Sequence, residues 1–269
     1  MDWDHTKGLS ELFRYVSPNT AFILPTGISV REILSSIISS KDYYSKEYRK
    51  VFQLIDSNII SYNLVHADMH SQIYSFSLFS KDKVYNLQMN TFAPVGKIVK
   101  EKTIDTIEKI VDKDLSKTTK GVNQYKSFNK ENNLFSVGLH LVIVGESSNI
   151  SVCLCGDLEN ITIKEMHPQN RKRIFGENTV FKIPHHCSKS ASELFDSQCL
   201  HRFMYGVTTS FKSANLPDKE MLEMYKQCGT VSRTDLHGTE YGVVRYSIPI
   251  VQAYNNKPTT KYWGAAGQA

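Results

Sequence analysis

The sequence has no run of about 18 apolar residues, and so offers no helix of the length and character that crosses a membrane. It also lacks an N-terminal positive region followed by an apolar stretch, the pattern that directs secretion. A cytoplasmic protein with no membrane attachment is the expectation. Cysteine is sparse and odd in number, with five residues at 153, 155, 187, 199 and 228. That count excludes a fully paired disulfide framework and suits buried thiols in a reducing compartment. A strong charge of one sign is missing too. Net charge is +5 and the pI is near 8.8, which tolerates a polyanionic partner but falls short of the clustered basic face of a dedicated nucleic-acid binder. No internal repeat is visible.

What is present is an ordinary globular composition. The chain has 269 residues, of which 41% are hydrophobic, enough for one large domain or two small ones with a sizeable core. Leu9, Leu12, Phe13 and Val16 recur at helical spacing up to the Ser17-Pro18-Asn19 stop, and an apolar strand follows from Ala21 to Leu24. Val30, Ile33, Leu34, Ile37 and Ile38 mark one helical face, and Tyr44, Tyr48, Val51, Phe52 and Ile55 mark another. From Ile73 the period changes to two. Tyr74, Phe76 and Leu78 and then Tyr85, Leu87 and Met89 predict a hairpin.

Residues 97–130 are rich in Lys, Asp, Glu, Thr and Asn and read as a polar surface excursion with one helical piece near Ile104 to Val111. Beyond it, strands are expected at Val137 to Val144, Ile150 to Cys155, Val180 to Ile183, Phe203 to Val207, Thr230 to Arg233 and Val243 to Ile248. A helix is expected over Lys219 to Cys228 and a turn at His237-Gly238. The mixture is α/β. One domain over residues 1–252 with a C-terminal tail at 253–269 is the expected organisation.

Three segments place potential metal ligands in a loop at a strand end or a helix start. They are Asp2-Trp3-Asp4-His5-Thr6-Lys7-Gly8-Leu9, then Leu154-Cys155-Gly156-Asp157-Leu158-Glu159, then Phe181-Lys182-Ile183-Pro184-His185-His186-Cys187-Ser188. Carboxylate with imidazole suits Zn²⁺, Mn²⁺ or Fe²⁺, and a bridging carboxylate can hold two ions around one water-derived nucleophile.

In this order the segments resemble the metallo-β-lactamase superfamily, whose H-x-H-x-D-H signature precedes a helix and is followed by a strand-end Asp and a later strand-end His. They are most similar to its ComEC-like branch, named for the hydrolase domain of competence DNA-uptake proteins. That branch reads H-P-D-x-D-H-x-x-G-L where this chain has Met1-Asp-Trp-Asp-His-Thr-Lys-Gly-Leu9. Its Asn-x-x-Ser, L-x-G-D-x-E, V-P-H-H-G-S-K-x-S and R-T-D-x-x-G elements are similar to Asn133–Ser136, Leu154–Glu159, Ile183–Ser192 and Arg233–Gly238.

The resemblance implies a four-layer αββα sandwich and metal-dependent hydrolysis of a phosphodiester, with nucleic acid as the substrate class. It implies one or two divalent ions, Zn²⁺ or Mn²⁺. Asp4, His5 and His185 would hold one ion, Asp157 would bridge, and Asp2 would stand where other branches carry a second histidine. Asp4, Asp157 and His185 would serve catalysis through a metal-bound hydroxide. His186, Ser188, Lys189, Ser190 and His237 would support the site or contact substrate, Lys189 and Ser190 through a phosphate.

Two departures accompany it. The signature's first histidine would fall one position before Met1, so the fold is expected to be N-terminally incomplete, with an upstream extension or a partner chain supplying the early strands, or the site degenerate. Cys187 stands where the branch has glycine. The other reading of the chain is therefore a catalytically impaired binding or assembly subunit that works with a partner.

Other residues carry less. His66-Ala-Asp68-Met-His70 has the donors of a metal motif but lies outside every family position, and is expected to be a polar connection before the hairpin. Cys153 and Cys155 share one strand face and are expected in the core. His140 lies within a strand, and His167 and His201 carry no signal. The tyrosines and phenylalanines fall on the apolar phases, which fits core packing rather than base stacking.

Overall fold

The computed structural model describes residues 9–12, 15–17, 20–25, 50–51, 53–55, 57, 63–80, 83–99, 133–145, 149–238, 242–250 and 258–269. The chain divides into two compact units, Met1–Asp68 with Pro94–Phe135, and Met69–Ala93 with Ser136–Ala269. Asp2, Asp4 and His5, the helix expected over 30–38 and all but the start of the 97–130 excursion lie outside the described residues.

In the first unit a short helix, α1 (Leu9–Leu12), precedes β1 (Ala21–Pro25), which pairs in parallel with β2 (Asn63–Ala67). Val51 and Ile55 are one helical turn apart and both are buried. Strand β2 runs on through His66 and Ala67, where the sequence suggested a polar connection. Its partner lies about forty residues away across a crossover, and such a pairing leaves no trace in local polarity. Asp68 Oδ1 accepts a hydrogen bond from the Gly96 backbone at 3.0 Å, which gives that carboxylate a structural role.

The second unit carries the expected hairpin, β3 (Gln72–Ser80) and β4 (Lys83–Ala93), with Phe76 opposite Leu87 and Leu78 opposite Tyr85. Strands β5 (Gly138–Val144) and β6 (Asn149–Leu154) continue it antiparallel. Strands β7 (Glu177–Lys182), β8 (Arg202–Thr208) and β9 (Thr230–Arg233) then join β6 in parallel, and β12 (Gly267–Gln268) closes the far edge antiparallel. The result is an eight-stranded mixed sheet in the order β12-β9-β8-β7-β6-β5-β4-β3. A separate antiparallel pair joins β10 (Val243–Ser247) to β11 (Thr259–Trp263). Residues 258–269, set apart in the sequence as a tail, thus supply two strands. They are short and polar, and their pairing partners fix them.

Parallel strands need crossovers, and helices provide them. Between β6 and β7 lie α2 (Asn160–Glu165) and α3 (Pro168–Phe175), neither visible as a periodic pattern in the sequence. Thr162, Ile163, Met166, Ile174 and Phe175 are the residues of these helices and their junction that are buried. Helix α4 (Glu193–Asp196) follows β7, and α5 (Lys219–Cys228) lies between β8 and β9. Asp218 caps α5 by accepting the Met221 N–H at 3.0 Å, and Met221, Leu222 and Tyr225 form its buried face.

The core gathers Phe92, Phe175, Phe181, Phe203, Leu158, Leu194 and Tyr225. Phe92 meets Phe175 edge-on at 5.4 Å and Phe181 stacks on Phe203 at 5.6 Å. Each such buried ring contributes about 1.5–3 kcal/mol by leaving water. Gly229 permits a close approach, because a β-carbon there would sit 2.0 Å from the Phe203 carbonyl oxygen. All five cysteines are free thiols, and Cys153, Cys155, Cys187 and Cys199 are buried. Among the described residues, no helix is long and apolar enough to cross a membrane.

Candidate functional site

In a parallel sheet the loops at the carboxyl ends of adjacent strands converge, and side chains carried there meet across short distances. Leu154 and Lys182 end β6 and β7 in register, and Val207, opposite Lys182, lies one residue before the end of β8. The loops that follow carry Asp157 and Glu159, His185 and His186, and Thr209.

The loop after β6 turns at Gly156, whose φ of +56° suits a residue without a β-carbon. This turn sets Asp157, itself buried, at the strand end. The Gly156 carbonyl accepts the His185 backbone N–H at 3.1 Å, tying the first loop to the second.

The loop after β7 is strained. His185, His186 and Cys187 have successive φ values of 44°, 52° and 64°, a left-handed turn built without glycine. Each such residue costs about 1–2 kcal/mol. Strain of this kind persists where surrounding contacts over-determine it, and it concentrates at functional sites. Here the Cys187 N–H donates to Pro184 O at 2.9 Å, the Ser188 N–H donates to His185 O at 3.0 Å, and the Cys187 side chain is buried. Burial pushes the Cys187 thiol up to about 12, so it stays protonated and packs as an apolar group.

The two imidazoles are held differently. His185 Nδ1 lies 2.9 Å from Glu159 Oε1 and 2.6 Å from Ser190 Oγ. Ser190 donates its own proton to Ser188 Oγ at 3.2 Å, and a carboxylate only accepts, so Nδ1 carries the imidazole proton. The neutral ring then presents its lone pair at Nε2. His186 Nδ1 meets Thr209 Oγ1 at 2.8 Å, and its ring stacks on Phe211 at 5.4 Å. Its Nε2 lies 3.8 Å from Asp157 Oδ1, too long for a hydrogen bond.

Lys182 donates to Ile183 O at 2.8 Å, and burial lowers its pKa against the opposing pull of the Asp157 carboxylate. The ammonium of Lys189 is paired with Glu220 and lies 3.9 Å from Asp218, so the structure engages it with the start of α5. Ser188 and Ser190 belong to the His185 network. His237 has its backbone N–H on Ala265 O at 2.9 Å and its ring against Gly267. Nearby, Arg233 and Asp235 form a two-pronged pair at 3.1 Å on each arm.

Asp157, His185, His186, Ser188 and Ser190 are thus brought together from the expected set. Glu159, Thr209 and Phe211 join them with no role assigned from sequence. The signal for Glu159 was its place two residues after Asp157 at the start of α2, where its side chain makes no capping bond and turns to His185 instead.

The donor chemistry, Asp157 beside the His186 imidazole and Glu159 on Nδ1 of His185, is of the carboxylate and imidazole type that suits a divalent ion. Among the described residues, no group of three or more His, Cys, Asp or Glu side chains is arranged to hold a metal. The other donors expected from sequence, Asp2, Asp4 and His5, lie outside those residues. The chain matches no protein-family model and no curated protein.

Proposed function

We propose that this chain is a metal-dependent hydrolase of the metallo-β-lactamase type, a phosphodiesterase that acts on nucleic acid, with its sheet as one half of a four-layer αββα sandwich. The observation that carries this reading is the Glu159–His185 contact beside Asp157 at the carboxyl ends of β6 and β7. A histidine bonded at Nδ1 to a carboxylate is oriented and made more basic, the usual arrangement of a metal-ligating imidazole.

In this reading Asp157 and His185 hold one or two ions, Zn²⁺ or Mn²⁺, together with Asp2, Asp4 and His5. Such an ion, when bound, lowers the pKa of water to about 7 and polarises a phosphoryl oxygen. Glu159 keeps the His185 proton on Nδ1. Ser190, itself bonded to Ser188, meets the same nitrogen, and the His186–Thr209 bond holds the neighbouring imidazole beside Asp157.

The test is incubation of purified protein with labelled single- and double-stranded DNA and Mn²⁺ or Zn²⁺. The reading expects cleavage that is lost in Asp157→Ala and in His185→Ala. Absence of cleavage by the wild type, or cleavage unchanged in those variants, would sink it.

A further inference from the structure

Strand β3 forms one edge of the eight-stranded sheet, with β4 as its only strand neighbour among the described residues. Natural edge strands are guarded against pairing by charges, proline, bulges or short length. The nine residues of β3, Gln72-Ile-Tyr-Ser-Phe-Ser-Leu-Phe-Ser80, include no charge and no proline, and the one irregularity in its pairing with β4, a register shift between Gln72 and Tyr74, lies at its start and leaves Tyr74 to Ser80 regular. The opposite edge strand, β12, has two residues. Large apolar side chains on β3 face solvent, Tyr74 at 54% and Phe79 at 80% exposure.

The strand also reads alike in both directions. About Phe76 the flanking pairs are Ser75 with Ser77, Tyr74 with Leu78, and Ile73 with Phe79. Two such strands run antiparallel about a two-fold axis at Phe76 set serine opposite serine and apolar opposite apolar, with no like charges facing. Directly opposed pairs of these types stabilise a sheet.

We propose that β3 pairs with β3 of a second copy of this chain, joining two eight-stranded sheets into one continuous sheet about a two-fold axis at Phe76. Tyr74, Phe76 and Leu78 share one face of the joined sheet, and Ser75, Ser77 and Phe79 share the other. Each copy uses its long edge, and the short β12 edge offers little to a third, so assembly closes at a dimer rather than growing into a filament. One strand pair buries less than the roughly 1,200–2,000 Å² of a stable interface, so dissociation in the micromolar range is expected.

Sedimentation velocity of the full chain across the micromolar range reads the proposal directly. Wild type is expected to move from monomer to dimer with rising concentration. Phe76→Lys, which opposes two lysines on the axis, and the double variant Ser75→Lys/Ser77→Lys, which does so on the other face, should each weaken the dimer at least about tenfold. Thermal unfolding checks that both variants fold.

A second measurement does not depend on lysine tolerance. Under mild oxidation, Phe76→Cys should give a disulfide-linked dimer, whereas Phe79→Cys, displaced from its own copy along the strand, should not. A wild type that stays monomeric throughout overturns the proposal. So does a dimer that survives Phe76→Lys and does not cross-link through position 76.

Discussion

Glu159 Oε1 lies 2.9 Å from Nδ1 of His185, so the N-cap residue of α2 fixes the tautomer of a histidine on the neighbouring loop. Outer partners of this kind are worth about 10–100-fold in metal affinity. Glu159→Ala should weaken Zn²⁺ binding by that factor in titration calorimetry, with the unfolding temperature little changed. Glu159→Gln should recover part of the loss, because its amide oxygen still accepts the Nδ1 proton. Wild-type affinity in both variants would remove Glu159 from the site.

Cys187 offers a test of backbone strain. Its φ of 64° suits glycine, yet its side chain is buried, so strain and packing oppose one another. Replacing it with alanine or glycine removes the thiol in both cases, and the two then differ mainly in backbone freedom. Cys187→Gly should be more stable than Cys187→Ala by about 1 kcal/mol in urea unfolding, the reverse of the usual order. Alanine as the more stable of the two would show that the left-handed turn does not persist.

Stability below neutrality should depend on His140. Burial, aided by the nearby Arg173 cation, lowers its pKa from 6.5 to about 4. Between those values the unfolded chain binds a proton that the folded chain refuses, so stability falls as pH drops from 6.5 towards 4. Between pH 7 and pH 5 this costs about 2 kcal/mol. His140→Gln should flatten the stability profile over that window by a similar amount. Parallel profiles for variant and wild type would assign the acid sensitivity to other groups.

His140 opens a chain of hydrogen bonds that closes on the end of α3. Its Nε2 meets Ser151 Oγ at 2.8 Å, and Ser151 donates to Asn178 Oδ1 at 2.7 Å. Asn178 Nδ2 in turn donates to Ile174 O at 2.9 Å and Phe175 O at 3.2 Å. Asn178→Leu would strip partners from two helix-end carbonyls and a part-buried hydroxyl. A loss of about 2–4 kcal/mol in urea unfolding is expected. A loss below about 1 kcal/mol would mean that water replaces those contacts.

The local pattern was legible wherever a segment's own periodicity decided its structure. Alternation in Tyr74, Phe76 and Leu78 against Tyr85, Leu87 and Met89 read as the hairpin that forms, and Lys219 to Cys228 read as the helix it is. Helices α2 and α3 did not show, because their few apolar residues are spread over polar sequence and their place is set by the crossover they span. Strands β11 and β12 did not show because each is short and depends on a distant partner.

The site divides along the same line. Sequence alone marked Asp157 and His185, since a Gly-Asp pair at a strand end and a Pro-His-His run after another are local signals. It could not show that Glu159 turns away from its own helix, that Thr209 meets His186, or that three residues without glycine hold a left-handed turn. Those features depend on contacts between loops that are neighbours only because β6, β7 and β8 lie side by side in parallel. Side-chain chemistry is written in the residues, whereas the distances that make it a site arise from long-range strand pairing.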